Sequence, residues 1–146
     1  CWMRILRRVE GSVLWLYEAH PAAADNLRDN AKASGVHPDR IIFAQFLPLP
    51  EHLARLRAAD LFLDTLPYNA HTTGSDALWA GLPLLTCTGT TFPGRVGTSL
   101  LHALGMPELI SDNIVQYEEA AVRLATDRDS LDRLKVKLGR NRLTNP

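Results

Sequence analysis

Cysteine is scarce in this chain, and the two present, Cys1 and Cys87, are far apart in 146 residues. They have no metal-ligand spacing, and Cys87 lies in an apolar run, which predicts a buried structural thiol in a reducing compartment, the cytoplasm by default. Net charge is missing too. Lys plus Arg equals Asp plus Glu at 16 each, so nothing global favours nucleic acid or an acidic membrane surface as partner. No apolar run reaches the ~20 residues that span a bilayer, and Cys1-Trp2-Met3-Arg4-Ile5 reads as amphipathic helix without a signal-peptide layout. Internal repeats, linkers and low-complexity tracts are also missing. What remains is ordinary globular material: 46% hydrophobic and 22% charged residues, at a length suited to one domain.

Within that frame, helix-like and strand-like segments alternate. Trp2 to Arg8 carries Trp2, Ile5 and Leu6 on one helical face. Ser12 to Tyr17 is a continuous apolar run, as expected of a strand buried on both faces. Helix follows from Ala22 to Ser34 and stops at Gly35, a natural C′ residue. Arg40 to Ala44 is a second strand, Glu51 to Ala59 a short helix, and Leu61 to Asp64 a third strand. Asp76 to Ala80 is helical, Gly81-Leu82-Pro83 breaks it, and Leu84 to Cys87 is the fourth strand. A helix from Arg95 to Leu104, a short strand at Leu109-Ile110, and helices Asn113–Thr126 and Ser130–Arg142 complete the chain. Such alternation predicts an α/β fold: one Rossmann-like parallel sheet with helices on both faces and right-handed crossovers. Trp15 and Trp79 are expected in its core.

The densest chemistry lies between the third strand and the helix after it, in Asp64-Thr65-Leu66-Pro67-Tyr68-Asn69-Ala70-His71-Thr72-Thr73-Gly74-Ser75-Asp76. Loops leaving the C-terminal ends of strands are where open α/β sheets hold ligands. Free N–H groups in the first turn of the next helix attract anions there. Thr72 and Thr73 add hydroxyls, and Gly74 would allow a ligand close to the backbone. This chemistry suits a diphosphate. The same residues, taken alone, also fit a helix start in which threonines satisfy orphan N–H groups. Asp76 could equally be a first-turn acid complementing the helix dipole, and His52 an exposed histidine at a helix start. Asp64 is expected to fix the following turn through an Asx-type hydrogen bond, with no substrate role. Arg95, at a helix start, opposes the dipole and suggests either an anionic ligand or a neighbouring carboxylate. His20, His37 and His102 have no company that suggests a metal or catalysis.

The order and spacing of Ser12-Val13-Leu14-Trp15-Leu16, Arg40-Ile41-Ile42-Phe43, Glu51-His52, Ala59 to Thr65, His71 to Pro83 and Gly94-Arg95-Val96 resemble the C-terminal catalytic lobe of the O-linked N-acetylglucosamine transferase family. More narrowly, the chain is similar to the bacterial members that carry tetratricopeptide repeats. The resemblance runs over nearly all of residues 1–146. It implies one lobe of a GT-B glycosyltransferase, whose nucleotide sugar sits between two Rossmann-like lobes. The activity implied is transfer of N-acetylglucosamine from UDP-N-acetylglucosamine to serine or threonine hydroxyls of an acceptor protein, with no metal and no other cofactor.

Position by position, the resemblance assigns His71, Thr72 and Thr73 to the UDP phosphates, Asp76 to the ribose and His52 to the uracil face. Arg55, about one helical turn beyond His52, would face the same cleft. No residue in the chain matches a catalytic group. Leu49 stands where many members have a lysine near the ribose, and Thr90 where a glutamate is common. A diphosphate-neutralising lysine, the N-terminal catalytic lobe with its histidines, and the repeats are expected upstream in a longer protein. By itself the lobe should bind UDP weakly and transfer nothing. A module that kept the fold and lost the chemistry, serving nucleotide binding or protein interaction, is the other function class. The Leu49 departure leans toward it, and the joint retention of His52, His71, Thr72, Thr73 and Asp76 leans toward the transferase.

Overall fold

The computed structural model describes residues 1–18 and 20–145. Every strand pair in it is parallel, and the chain divides into two compact units, Cys1–Leu49 and Pro50–Pro146. The α/β class read from the sequence holds. Among the described residues, hydrogen bonding groups the strands into a two-stranded and a three-stranded sheet. The third strand is shorter than expected, Phe62–Leu63, and pairs with the fourth.

In the first unit, helix α1 (Trp2–Arg8) leads to strand β1 (Leu14–Tyr17), and helix α2 (Pro21–Ala33) crosses to β2 (Ile41–Ala44). Leu14 lies opposite Ile41 and Tyr17 opposite Ala44. A small core gathers Leu6, Leu14, Ala31, Val36 and Ile41. Gly35 ends α2 at φ +73°, as a C′ glycine should. β1 is not buried on both faces. Leu14 points into the core, whereas Trp15 and Tyr17 are 40% and 59% exposed, because alternate residues of a strand face opposite sides and this core lies on one of them.

Arg40 holds the unit together. Its guanidinium donates to the carbonyls of Leu6, Val9 and Ser12 at 2.8, 2.7 and 2.7 Å, and to the Ser12 hydroxyl at 2.9 Å. Leu6 belongs to the last turn of α1 and Val9 is its C-cap, where carbonyls have no partner within the helix. One side chain thus closes the end of α1 and fixes the turn into β1.

The second unit orders its strands β3-β4-β5. They are Phe62–Leu63, Leu84–Cys87 and Ile110–Ser111. Its helices are α3 (Leu49–Leu56), α4 (Thr72–Ala80), α5 (Val96–Ala103), α6 (Ile114–Thr126) and α7 (Arg128–Thr144). All four residues of β4 are buried, so both its faces are covered, the state that short all-apolar parallel strands indicate. Leu78 of α4, Leu84, Leu101 of α5, Met106, Leu109, Leu124 of α6 and Leu138 of α7 form one core around it. Cys87 is buried as a free thiol, as expected. Trp79 is not in the core: it is 63% exposed, while its neighbour Leu78 points inward at 3%. Among the described residues no helix is long and apolar enough to cross a membrane.

Replacing Arg40 by methionine keeps the apolar stem of the side chain and removes every donor. Hydrogen bonds from a charged group are each worth ~1.5–3 kcal/mol, and three carbonyls would lose theirs. Urea denaturation of Arg40→Met should show a loss of about 2–4 kcal/mol, allowing for water reaching some of those carbonyls.

Candidate functional site

Because β3 and β4 are parallel neighbours, the loops that leave them emerge at the same edge of the sheet. The first spans residues 65–71 and the second residues 88–92. A buried polar node underlies both. Asp64, only 3% exposed at the end of β3, accepts the N–H groups of Thr65 and Ala70 on Oδ1 at 2.8 and 2.6 Å. The hydroxyl of Thr86, in the middle of β4, donates to its Oδ2 at 2.6 Å. Thr65 N–H is the Asx-type contact expected from the sequence; Ala70 extends the hold across the whole loop. From α6, the Tyr117 hydroxyl donates to the Asp64 carbonyl at 2.9 Å, and burial pushes that phenol's pKa far up, so it stays a donor.

Asn69 ties the two loops together. Its N–H donates to the Pro93 carbonyl at 2.9 Å, and its side-chain amide donates to the Thr65 carbonyl at 3.0 Å. Its Oδ1 accepts the N–H of Gly97 in the first turn of α5 at 3.4 Å. Only glycine fits at 97, where a Cβ would lie 2.4 Å from Asp64 Oδ2 and 2.7 Å from the Thr86 hydroxyl. Within the first loop the Leu66–Pro67 peptide is cis.

This support carries the N-terminus of α4, which begins four residues earlier than the sequence pattern implied. His71 is the N-cap and contributes no side-chain cap. By contrast, α2, α6 and α7 open on side-chain acceptors from His20, Asn113 and Asp127. Thr72 and Thr73 are both exposed, and neither hydroxyl caps the helix, so the helix-cap reading of these residues is not what the structure contains. The earlier start moves Asp76 into the second turn, so it is not a first-turn acid. It now lies four residues after Thr72 and three after Thr73, on the same helical face.

Gly74 also departs from expectation. A Cβ there would meet Leu84 at 3.1 Å and Ala70 at 3.3 Å. Its missing side chain leaves room for the packing of α4 on β4.

His71 is held by aromatic neighbours. Its ring stacks on Tyr68 at 4.8 Å and meets the edge of Phe92, from the second loop, at 6.3 Å. Its Nε2 is shut off from water and has no hydrogen-bond partner. On α3, His52 and Arg55 are half-buried and joined by a 3.0 Å contact between Nδ1 and Nη2. The structure therefore pairs His52 with Arg55 on α3, and gathers His71, Thr72, Thr73 and Asp76 at the start of α4. Leu49, in the first turn of α3, and Thr90 are exposed. Arg95 is exposed, and among the described residues no carboxylate lies within ion-pair distance of it.

The whole chain, residues 1–146, matches the family described as glycosyl transferase family 41. It belongs to that family. Over 137 residues it is 39% identical to a UDP-N-acetylglucosamine–peptide N-acetylglucosaminyltransferase of Caenorhabditis elegans, covering 94% of this chain and 12% of that protein. Identity is 42% over 146 residues to the probable UDP-N-acetylglucosamine–peptide N-acetylglucosaminyltransferase SEC of Arabidopsis thaliana, with coverage of 99% and 15%. Among solved structures, a lysine-to-methionine variant of the Thermobaculum terrenum O-GlcNAc transferase superposes with a TM-score of 0.91 at 33% identity. That match covers 96% of this chain and 28% of the other, so the chain spans a minor part of each family 41 protein it resembles.

Asn69, Thr86, Gly97 and Tyr117 were not singled out in the sequence. One of them was visible: Thr86 is a hydroxyl inside Leu84-Leu85-Thr86-Cys87, and a polar group in a buried strand needs a partner.

Burial pushes the Asp64 carboxyl above its ordinary value of 3.8, against the hydrogen bonds from Thr86, Ala70 and Thr65 and the charge of His71. The folded state then holds this proton more tightly than the unfolded chain does. Its contribution to stability is greatest below 3.8 and is lost as pH rises through the raised value. Asp64→Asn removes that titration. In chemical denaturation between pH 4 and 7, the stability of the wild type relative to Asp64→Asn should therefore rise as pH falls. A difference that stays flat, or that falls, would contradict the burial of a titrating carboxyl here.

Proposed function

We propose that residues 1–146 are the nucleotide-sugar-binding lobe of a GT-B enzyme that transfers N-acetylglucosamine from UDP-N-acetylglucosamine to serine or threonine hydroxyls of a protein. One arrangement carries the reading. At the C-terminal edge of parallel strands, α4 opens without a side-chain cap, its two threonines stand exposed, and the adjoining His71 Nε2 is buried without a partner. A buried nitrogen in that state costs ~1–3 kcal/mol, which a phosphate oxygen would relieve. The relatives supply the substrate class: those from C. elegans and A. thaliana are, by name, peptide N-acetylglucosaminyltransferases.

In this reading the diphosphate takes the N–H groups of the first turn of α4, the Thr72 and Thr73 hydroxyls and His71. Asp76, on the same face, accepts from the ribose hydroxyls. The His52 ring, steadied by Arg55, stacks on uracil. Positive charge density at the helix end stabilises UDP as it leaves, and no metal ion is needed for that step from this lobe. The acceptor groove, the catalytic lobe and the tetratricopeptide repeats belong to other parts of the same protein, consistent with relatives of which this chain covers 12–15%. The buried Cys87 thiol suits a cytoplasmic protein. A non-catalytic module on the same fold is not favoured, since the matched relatives carry transferase names across the span they share with this chain.

Two titrations of the full-length protein test the division of labour. Thr72→Val and Thr73→Val together should weaken UDP and pyrophosphate alike, by about tenfold or more, since each hydroxyl donates to an anionic phosphate. Asp76→Ala should weaken UDP by about tenfold and leave pyrophosphate unchanged, because the carboxylate meets only the ribose. If neither substitution moves UDP affinity in calorimetry, the site lies elsewhere. Sugar transfer by the full-length protein should also survive EDTA; abolition by the chelator would show that a metal is required.

A further inference from the structure

Asp64 does more than close a turn. Its Oδ1 holds both ends of the loop that leads to α4, at Thr65 and at Ala70, the residue just before His71. Its Oδ2 is fixed from beneath by Thr86 of β4, and the first turn of α5 presses on the same oxygen through Gly97, where not even a Cβ would fit. The direction in which α4 presents its first N–H groups is thus set by one carboxylate anchored to the most buried strand of the unit. Asn69 passes the constraint on to the second loop, through Pro93 and Gly97.

We propose that Asp64 is the positioning residue of the phosphate subsite: it touches no substrate, and it holds the N-terminus of α4 and His71 in the orientation that receives a diphosphate. The inference rests on the UDP reading above. It assigns the carboxylate a role distinct from that of His71, Thr72, Thr73 and Asp76, which would meet the nucleotide directly. It also separates two chemistries within one ligand. Phosphate recognition depends on the angle of the helix end, so it should fail when the anchor goes. Contacts to the nucleoside, carried by Asp76 and by α3, should not.

The test is the preference of the full-length protein for UDP over uridine, measured by calorimetry for wild type, Asp64→Ala, Asp64→Asn and Thr86→Val. Asp64→Ala should cut that preference about tenfold while uridine affinity stays within twofold of wild type. Asp64→Asn keeps an oxygen for the Thr65 and Ala70 N–H groups, and its amide can donate to the Thr86 hydroxyl, so it should stay within about threefold of wild type. Thr86→Val conserves shape, frees Oδ2 and should reduce the preference by about three- to tenfold; it carries the test if the alanine variant does not fold. An unchanged preference in Asp64→Ala and Thr86→Val, or equal losses for UDP and uridine, would overturn the positioning role. Failure of Asp64→Asn to restore the preference would overturn it too. A wild type that binds UDP no better than uridine would instead overturn the phosphate reading itself, and this inference with it.

Discussion

A single buried carboxylate organises the edge of the sheet where chemistry can occur. Asp64 is surrounded by β4, by the first turn of α5 and by its own loop, and three donors converge on its two oxygens. Burying a charge is costly unless hydrogen bonds compensate, and charge-assisted bonds of 2.6–2.8 Å are of the strong kind. That burial still raises its pKa shows that compensation is incomplete. The residual cost is what a chain tolerates when a loop must have one shape. Gly97 is small for the same reason, since the carboxylate occupies the space a Cβ would need.

Side chains close several of the helix ends. Arg40 closes α1, and His20, Asn113 and Asp127 cap α2, α6 and α7. Two of the histidines that offered no metal or catalytic signal turn out to be caps, His20 for α2 and His37 for the turn Pro38–Arg40. The start of α4, like those of α1 and α5, has no side-chain cap, and it is anchored from below by Asp64. In the reading proposed above, the open end of α4 receives the donor's phosphates.

Much of this was legible in the residues. β4 is an apolar run bounded by Gly81-Leu82-Pro83 and a polar loop, so its type and limits followed from pattern. The regions of α2, α6 and α7 were visible from periodicity and capping residues. The start of α4 was not, because Thr-Thr-Gly has poor helix propensity and reads as loop; packing of Gly74 against Leu84 overrides that preference. The tryptophans misled for a related reason. Trp15 and Trp79 sit beside inward-pointing leucines, and a continuous apolar run does not say which neighbour faces the core. The site residues on α4 came from loop chemistry and family resemblance together. Their support, Asp64, Asn69, Thr86 and Gly97, depends on contacts between distant parts of the chain, such as Thr86 to Asp64 and Gly97 to Asn69. Of these, Asp64 was read as a turn former and Thr86 was visible as a hydroxyl in a buried strand.

The most direct measurement is a crystal structure of the full-length protein soaked with UDP. Phosphate oxygens should lie 2.7–3.2 Å from the N–H groups and hydroxyls of Thr72 and Thr73, with Asp64 still holding Ala70 and Thr86. Diphosphate density away from the N-terminus of α4, or a loop 65–71 that abandons Asp64 on binding, would contradict the account.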